Sequence, residues 1–207
     1  MNKGMSPTHT ETDDDLLMRM QSGDEEAFVS LYRRRQGAIY RFALHMSGSA
    51  AVAEDVTQEV FLALIRDQCG YDPSRGTLSG YLFGIARKLV LRFLDRSRSD
   101  VALDEELDEG GGDFSVIDDP LVDLTRRESL DALWRAVLAL PRRYREVVLL
   151  CDLEEVDYSD AAAVLGCPIG TVRSRLHRAR ALLLDKLNPG RSQRPAMRAL
   201  KPVRCAV

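Results

Sequence analysis

The sequence predicts an all-α protein: two small helical domains joined by a flexible acidic linker, the C-terminal domain a helix-turn-helix. Three observations carry this expectation. Apolar residues recur at three- and four-residue intervals from Glu25 to Arg96 and again from Arg126 to Leu187, with no sustained alternation of period two. Between them, Ser99–Leu124 holds ten acids and no Lys or Arg, together with Gly110-Gly111-Gly112 and Asp118-Asp119-Pro120. Such a segment offers little to a packed core, and self-repulsion extends it. Near the C-terminus a short apolar segment, a glycine-containing turn and a basic amphipathic segment succeed one another in helix-turn-helix order.

The expected divisions are a disordered N-terminus (1–14), a first domain (15–98), the acidic linker (99–124), a second domain (125–188) and a basic tail (189–207). In the first domain, Glu25–Met46 places Phe28, Leu31, Tyr32, Ile39, Phe42 and Met46 at helical spacing. Ala51–Arg66 repeats the pattern with Val52, Val56, Val60 and Leu64, and Leu78–Arg96 does so with Leu78, Leu82, Ile85, Leu89 and Phe93. Gly70–Gly76 reads as a turn-rich loop between the last two. In the second domain, Arg126–Leu140 forms one helix. Pro141 suits the first turn of the next, which runs to about Leu153. Asp157 and Asp160 have the spacing of a capping box opening Tyr158–Leu165, and Gly166 supplies a left-handed stop. A last helix follows from about Gly170 to Leu187.

Composition narrows the function classes. The chain has 207 residues, 45% hydrophobic, and no apolar run approaches the roughly 18 residues of a membrane span. Met1–Asp15 is polar and ends in acids, unlike a signal peptide, so a cytoplasmic location is expected. Cys69, Cys151, Cys167 and Cys205 are widely spaced and the histidines number three, which argues against a metal site and for reduced thiols. A redox role for Cys205 is the alternative. No nucleophile–base constellation or phosphate-binding glycine loop appears, so neither enzymatic activity nor a cofactor is expected. The net charge of −3 conceals segregation: Gly170–Val207 holds ten Lys or Arg against one acid, Asp185. A basic surface for a polyanion follows.

Read by its faces, the last helix places Val172, Leu176, Ala179 and Leu183 on one stripe for the core. Ser174, His177 and Arg178 lie opposite, with Thr171 and Arg173 at the flanks. Arginine donors and small hydroxyls on one outward face suit a helix in the DNA major groove. A solvated basic helix is the alternative.

Four ordered motifs carry a family resemblance. Leu140–Leu150 and Gly166–Arg180 resemble the start and the DNA-reading helix of the C-terminal domain of sigma factors. Ala53–Leu62 resembles their polymerase-binding helix, and Tyr71–Gly76 with Tyr81–Arg87 resembles their minus-ten-reading element. Together the modules span roughly Asp15–Leu187, and no third domain intervenes, which points to the extracytoplasmic-function (ECF) group of the sigma-70 family. The resemblance implies that Glu54, Asp55, Gln58 and Glu59 dock on the clamp coiled coil of core RNA polymerase, the flap being a further contact. The acids Glu54 and Asp55 also suit a helix N-terminus on dipole grounds alone. It implies that Tyr71, Tyr81, Arg87, Lys88, Arg92 and Arg96 engage the minus-ten strand, although both tyrosines could equally be core aromatics. Thr171, Arg173, Ser174, His177 and Arg178 would read the minus-thirty-five element. The linker acids would thread towards the polymerase channels as a mimic of nucleic acid, and an anti-sigma factor is an implied partner. Tyr81, Lys88 and Arg92 depart from the Trp, Asn and Asp common in the family, which leaves the minus-ten sequence open. A stand-alone helix-turn-helix regulator would explain the second domain and leave the first without a purpose.

Overall fold

The computed structural model describes residues 11–66, 70–101 and 124–187, with the side chains of 97–101 and 124–128 left aside. The expectations for residues 1–10, for the linker over 102–123, for the tail 189–207 and for Cys69 and Cys205 lie outside the described residues.

Helix α1 (Asp13–Gln21) begins inside the segment expected to lack structure. Its capping box explains why. The Asp15 amide donates to Thr12 Oγ1 at 3.2 Å and the Thr12 amide donates to Asp15 Oδ2 at 3.0 Å. Asp13, Asp14 and Asp15 complement the helix dipole, while Leu16, Leu17 and Met20 supply the buried face. Helix α2 (Glu25–Ser47) is capped by Asp24, whose carboxylate accepts from the amides of Glu26 and Ala27. It stops at Gly48, whose φ of 77° is costly for any residue with a Cβ. Helices α3 (Ala50–Arg66) and α4 (Leu78–Val101) complete the first module. Leu31, Ile39, Phe42 and Met46 of α2 bury against Val56, Val60 and Leu64 of α3 and Leu82, Phe83 and Ala86 of α4. The rings of Phe42 and Phe83 meet edge to face at 5.4 Å. Helix α4 runs past Arg96, where periodicity placed its end, and takes in the first residues of the expected linker.

The second module comprises α5 (Leu124–Leu138), α6 (Arg142–Val148), α7 (Tyr158–Leu165) and α8 (Ile169–Leu187). Pro141 sits just before α6 as its N-cap. The winding then loosens to a π turn over Leu149–Leu153, so the expected single helix changes pitch where Leu149 and Leu150 enter the core. Gly166 closes α7 with φ 62° as expected. The capping box does not form: Asp157 makes no side-chain cap bond, and Asp160 turns away from its own helix.

The sequence suggests separate modules; in the structure they dock through α4 against α7 and α2 against the α5–α6 end of the second module. Arg41 of α2 grips Glu154 through two bonds of 3.0 and 2.7 Å. Arg145 donates to the Met46 carbonyl at 2.9 Å, and Arg87 pairs with Glu146 at 3.4 Å. Hydrophobic periodicity fixes which face of a helix is buried. It does not say which polar residues pair across modules.

His45 of α2 stacks flat on Trp134 of α5, ring centroids 3.6 Å apart and 8° from parallel. Burial, with the Arg41 charge second, pushes the imidazole down to about 4. Docking therefore selects neutral His45, whereas the exposed side chain ionises near its ordinary value of about 6.5. The stabilisation is fully present above that value and is lost as pH falls towards 4. At pH 5 the loss is roughly 2 kcal/mol. Trp134 is the only tryptophan in the chain, so its emission should change between pH 7 and pH 5. A His45→Phe variant with the same pH response would refute this origin.

Candidate nucleic-acid interface

Helix α8 is positioned by Val172, Leu176 and Ala179, each at most 2% exposed. That anchoring turns Arg173, Ser174, His177 and Arg178 to solvent, with Thr171 half-buried at the edge. The Ser174 hydroxyl donates to the Thr171 carbonyl at 3.0 Å, and the Arg173 guanidinium lies 5.8 Å above the Tyr158 ring. The other arginines of the helix have partners within the module. Arg180 makes two bonds to Asp152, the longer 3.0 Å, and Arg175 approaches Cys167 Sγ at 3.9 Å. Arg173 and Arg178 make no ion pair with a described residue, so the outward face carries two available guanidiniums flanking a hydroxyl and an imidazole. Such a face can donate to base edges and phosphates.

The second basic surface is built by α4 and the loop before it. Pro73–Arg75 forms a 3-10 turn, begun by Asp72, whose carboxylate accepts from the Ser74 amide at 2.9 Å. This turn brings Tyr71 back onto Tyr81, ring centroids 5.7 Å apart. The Tyr71 hydroxyl donates to Asp14 Oδ1 at 2.9 Å and to the Gly76 carbonyl at 3.2 Å. Burial and the Asp14 carboxylate both raise its ionisation above the ordinary tyrosine value. Both rings are half-buried and line a cavity of 370 Å³ with Gly76, Thr77, Gly80 and Lys88. They are thus part packing and part pocket wall. One helical turn on, Arg87, Lys88, Arg92 and Arg96 line an adjoining groove of 920 Å³. Six separate candidates from the sequence come together on one surface. Arg87 differs from the rest, because its side chain is drawn under the second module towards Glu146.

Sequence reasoning missed Ala163 and Val164 of α7, which form the far wall of both cavities, and Asp160, which lines the first. Asp160 accepts hydrogen bonds from the Thr77 amide at 3.4 Å and the Thr77 hydroxyl. Its position in the first turn of a helix disguised it as a cap.

A third surface lies on α3. Glu54, Asp55, Gln58 and Glu59 are all exposed, opposite the core positions Val52, Val56 and Val60. Leu62 and Ile65, 39% and 41% exposed, prolong the stripe with uncovered apolar surface. The helix starts at Ala50 and its first turn carries no acid, so Glu54 and Asp55 stand beyond the turn where the dipole acts strongly. Glu59 faces Arg66 only at 3.9 Å between exposed side chains. Acids, an amide and apolar groups on one ridge suit a basic helical partner.

Comparison with known proteins places both modules. Residues 31–99 match the family model for sigma-70 region 2, and residues 130–183 match that for sigma-70 region 4. The ECF RNA polymerase sigma factor SigE of Mycolicibacterium smegmatis is 37% identical over 171 residues, covering 80% of this chain, which spans 65% of that relative's length. The ECF RNA polymerase sigma-E factor of Escherichia coli is 33% identical over 186 residues, covering 86% of this chain and 95% of that protein. The sigma factor RpoE from Bartonella quintana, solved in complex with the anti-sigma factor NepR, aligns with a TM-score of 0.67 and 25% identity over 78% of this chain and 96% of that one.

Proposed function

The chain belongs to the sigma-70 family, in its ECF group, and from this premise we propose how its three exposed surfaces divide the work of initiation. As a sigma factor it has no catalytic step of its own. It binds core RNA polymerase and directs initiation at promoters, under control of an anti-sigma factor. The α3 stripe of Glu54, Asp55, Gln58 and Glu59 docks on the polymerase clamp. Tyr71, Tyr81, Lys88, Arg92 and Arg96, with Arg87, hold the melted minus-ten strand by stacking and phosphate attraction. Arg173, Ser174, His177 and Arg178, with Thr171, read the minus-thirty-five duplex. Attachment to one polymerase makes the two DNA contacts effectively intramolecular, so neither need be tight alone. The protein works in the cytoplasm; no described helix is long and apolar enough to cross a membrane.

The observation that carries this reading is the pairing of an uncommitted Arg173–Arg178 face on α8 with an exposed acidic and apolar ridge on α3. A stand-alone regulator needs only the first. In vitro transcription with core enzyme on a promoter library tests it: discrete start sites should appear only when this chain is added. Absence of any such site, with no inhibitor present, would sink the proposal.

A further inference from the structure

Helix α1 lies ahead of residues 31–99, the part of the first module that matches sigma-70 region 2, yet it touches the minus-ten surface. Its start is held from two sides. The Asp13 side chain, 11% exposed, takes Arg34 Nη1 of α2 at 2.8 Å and pairs also with Arg35. Arg34 donates to the Glu11 carbonyl at 3.0 Å, and Arg35 Nη1 donates to Ser79 Oγ of α4 at 3.4 Å. One carboxylate thus fastens α1 to α2 and, through Arg35, to the start of α4.

Asp14 is one residue on, about 100° round the helix, and its carboxylate meets the loop instead. Asp14 Oδ1 accepts from the Tyr71 hydroxyl at 2.9 Å, whereas the Gly76 carbonyl stands at 3.2 Å. The hydroxyl has one proton to give, and the charged acceptor is the stronger. Burial first and Asp14 second raise the ionisation of Tyr71, so that proton stays in place at neutral pH. The Tyr71 ring leans on Tyr81, planes 49° from parallel. This half-buried loop side chain is therefore tied at its ring by Tyr81 and at its hydroxyl by Asp14.

Electrostatics alone would keep an acid away from this place. A carboxylate beside a surface for a polyanion repels phosphate and works against Lys88 and Arg92. What Asp14 gives in return is a fixed ring. An aromatic face set before the strand arrives spares the ordering cost that binding would otherwise carry.

We infer that Asp14 is a positioning residue for minus-ten recognition: from the anchored start of α1 it holds the Tyr71 phenol, so that the ring is preset in the wall of the cavity a strand base would enter. The inference rests on the assignment of Tyr71 to the minus-ten surface made above.

The charge of Asp14 and its hold on Tyr71 act with opposite signs, which decides the test. Full-length variants are assembled with core polymerase. The probe is a fluorescein-labelled promoter fragment, drawn from the start sites of the library experiment, with its minus-ten strand left unpaired. Asp14→Ala should weaken binding about fivefold, the worth of one ordinary hydrogen bond, although it removes a negative charge. Asp14→Asn keeps an acceptor and should restore binding to within about twofold of the parent. Unchanged or tighter binding by Asp14→Ala would reduce Asp14 to a charge and overturn the inference. Helicity by circular dichroism and capture of core polymerase should stay constant, because Asp14 is exposed and lies off α3. Tyr71→Phe tells a tie to the phenol from general support of α1. It should lose the same factor, and adding Asp14→Ala should then cost nothing more. A further loss of about fivefold in the double variant would show that Asp14 acts elsewhere than on Tyr71. Tyr71→Ala tests the assignment beneath. If it leaves strand binding intact, the minus-ten role of Tyr71 falls and the inference with it; if it weakens binding while Asp14→Ala does not, only the inference falls.

Discussion

Replacing Asp55 and Glu59 with lysine should abolish capture of core polymerase, weakening it by at least about a hundredfold, a difference of roughly 2.7 kcal/mol. Both side chains stand on the exposed ridge of α3, and Glu59 gives up only its 3.9 Å approach to Arg66. The buried face of the helix, Val52, Val56, Val60 and Leu64, is untouched. Lysine and glutamate have nearly equal helix propensity, so the fold has little reason to respond. A basic clamp would then meet two like charges in place of two opposite ones, and such juxtapositions cost several kcal/mol. Binding of labelled protein to core enzyme by fluorescence anisotropy measures the effect, with thermal unfolding as the control. Unchanged affinity in a folded variant would remove α3 from the interface.

The surfaces differ in how readily their residues could be found from sequence. The α8 face was legible because two constraints coincide there: apolar residues at 172, 176 and 179 fix the rotation, and what remains must face outward. Arg175 and Arg180 fall between, and the structure commits them to Cys167 and Asp152. Helix α1 was hidden by its own composition. Three consecutive aspartates read as a polar tail until Thr12 and Asp15 are seen to close a capping box. Its apolar face is only Leu16, Leu17 and Met20, too short for a periodicity argument.

Docking of the modules was not legible at all. Arg41 and Glu154 are 113 positions apart, and Thr77 and Asp160 are 83 apart. Nothing local distinguishes Glu154 from a solvated acid. Asp160 has the spacing of a capping partner within its own helix, while the tertiary partner forms instead. Gly80 held the one available signal, a glycine within a helical period where packing supplies the reason.

Removing Arg178 should weaken initiation that depends on the minus-thirty-five element by roughly 5- to 150-fold, the 1–3 kcal/mol range of a bidentate base contact, and leave polymerase binding intact. Removing Arg173 as well should deepen the loss, because the two side chains lie on one exposed face without shared partners. Neither is buried, so unfolding does not compete as an explanation. Lysine at 178 tells base reading from charge. It keeps the positive charge and gives up the planar fork, so it should restore phosphate attraction without restoring discrimination. The salt dependence supplies the second test. If Arg178 serves a phosphate, its removal lowers the slope of log affinity against log salt by about one and weakens all sequences alike. If it serves a base edge, the slope holds and preference relaxes at one position of the element. Equal loss of polymerase capture and promoter activity in Arg178→Ala would contradict the separation of surfaces, since α3 and α8 lie in different modules and share no residue.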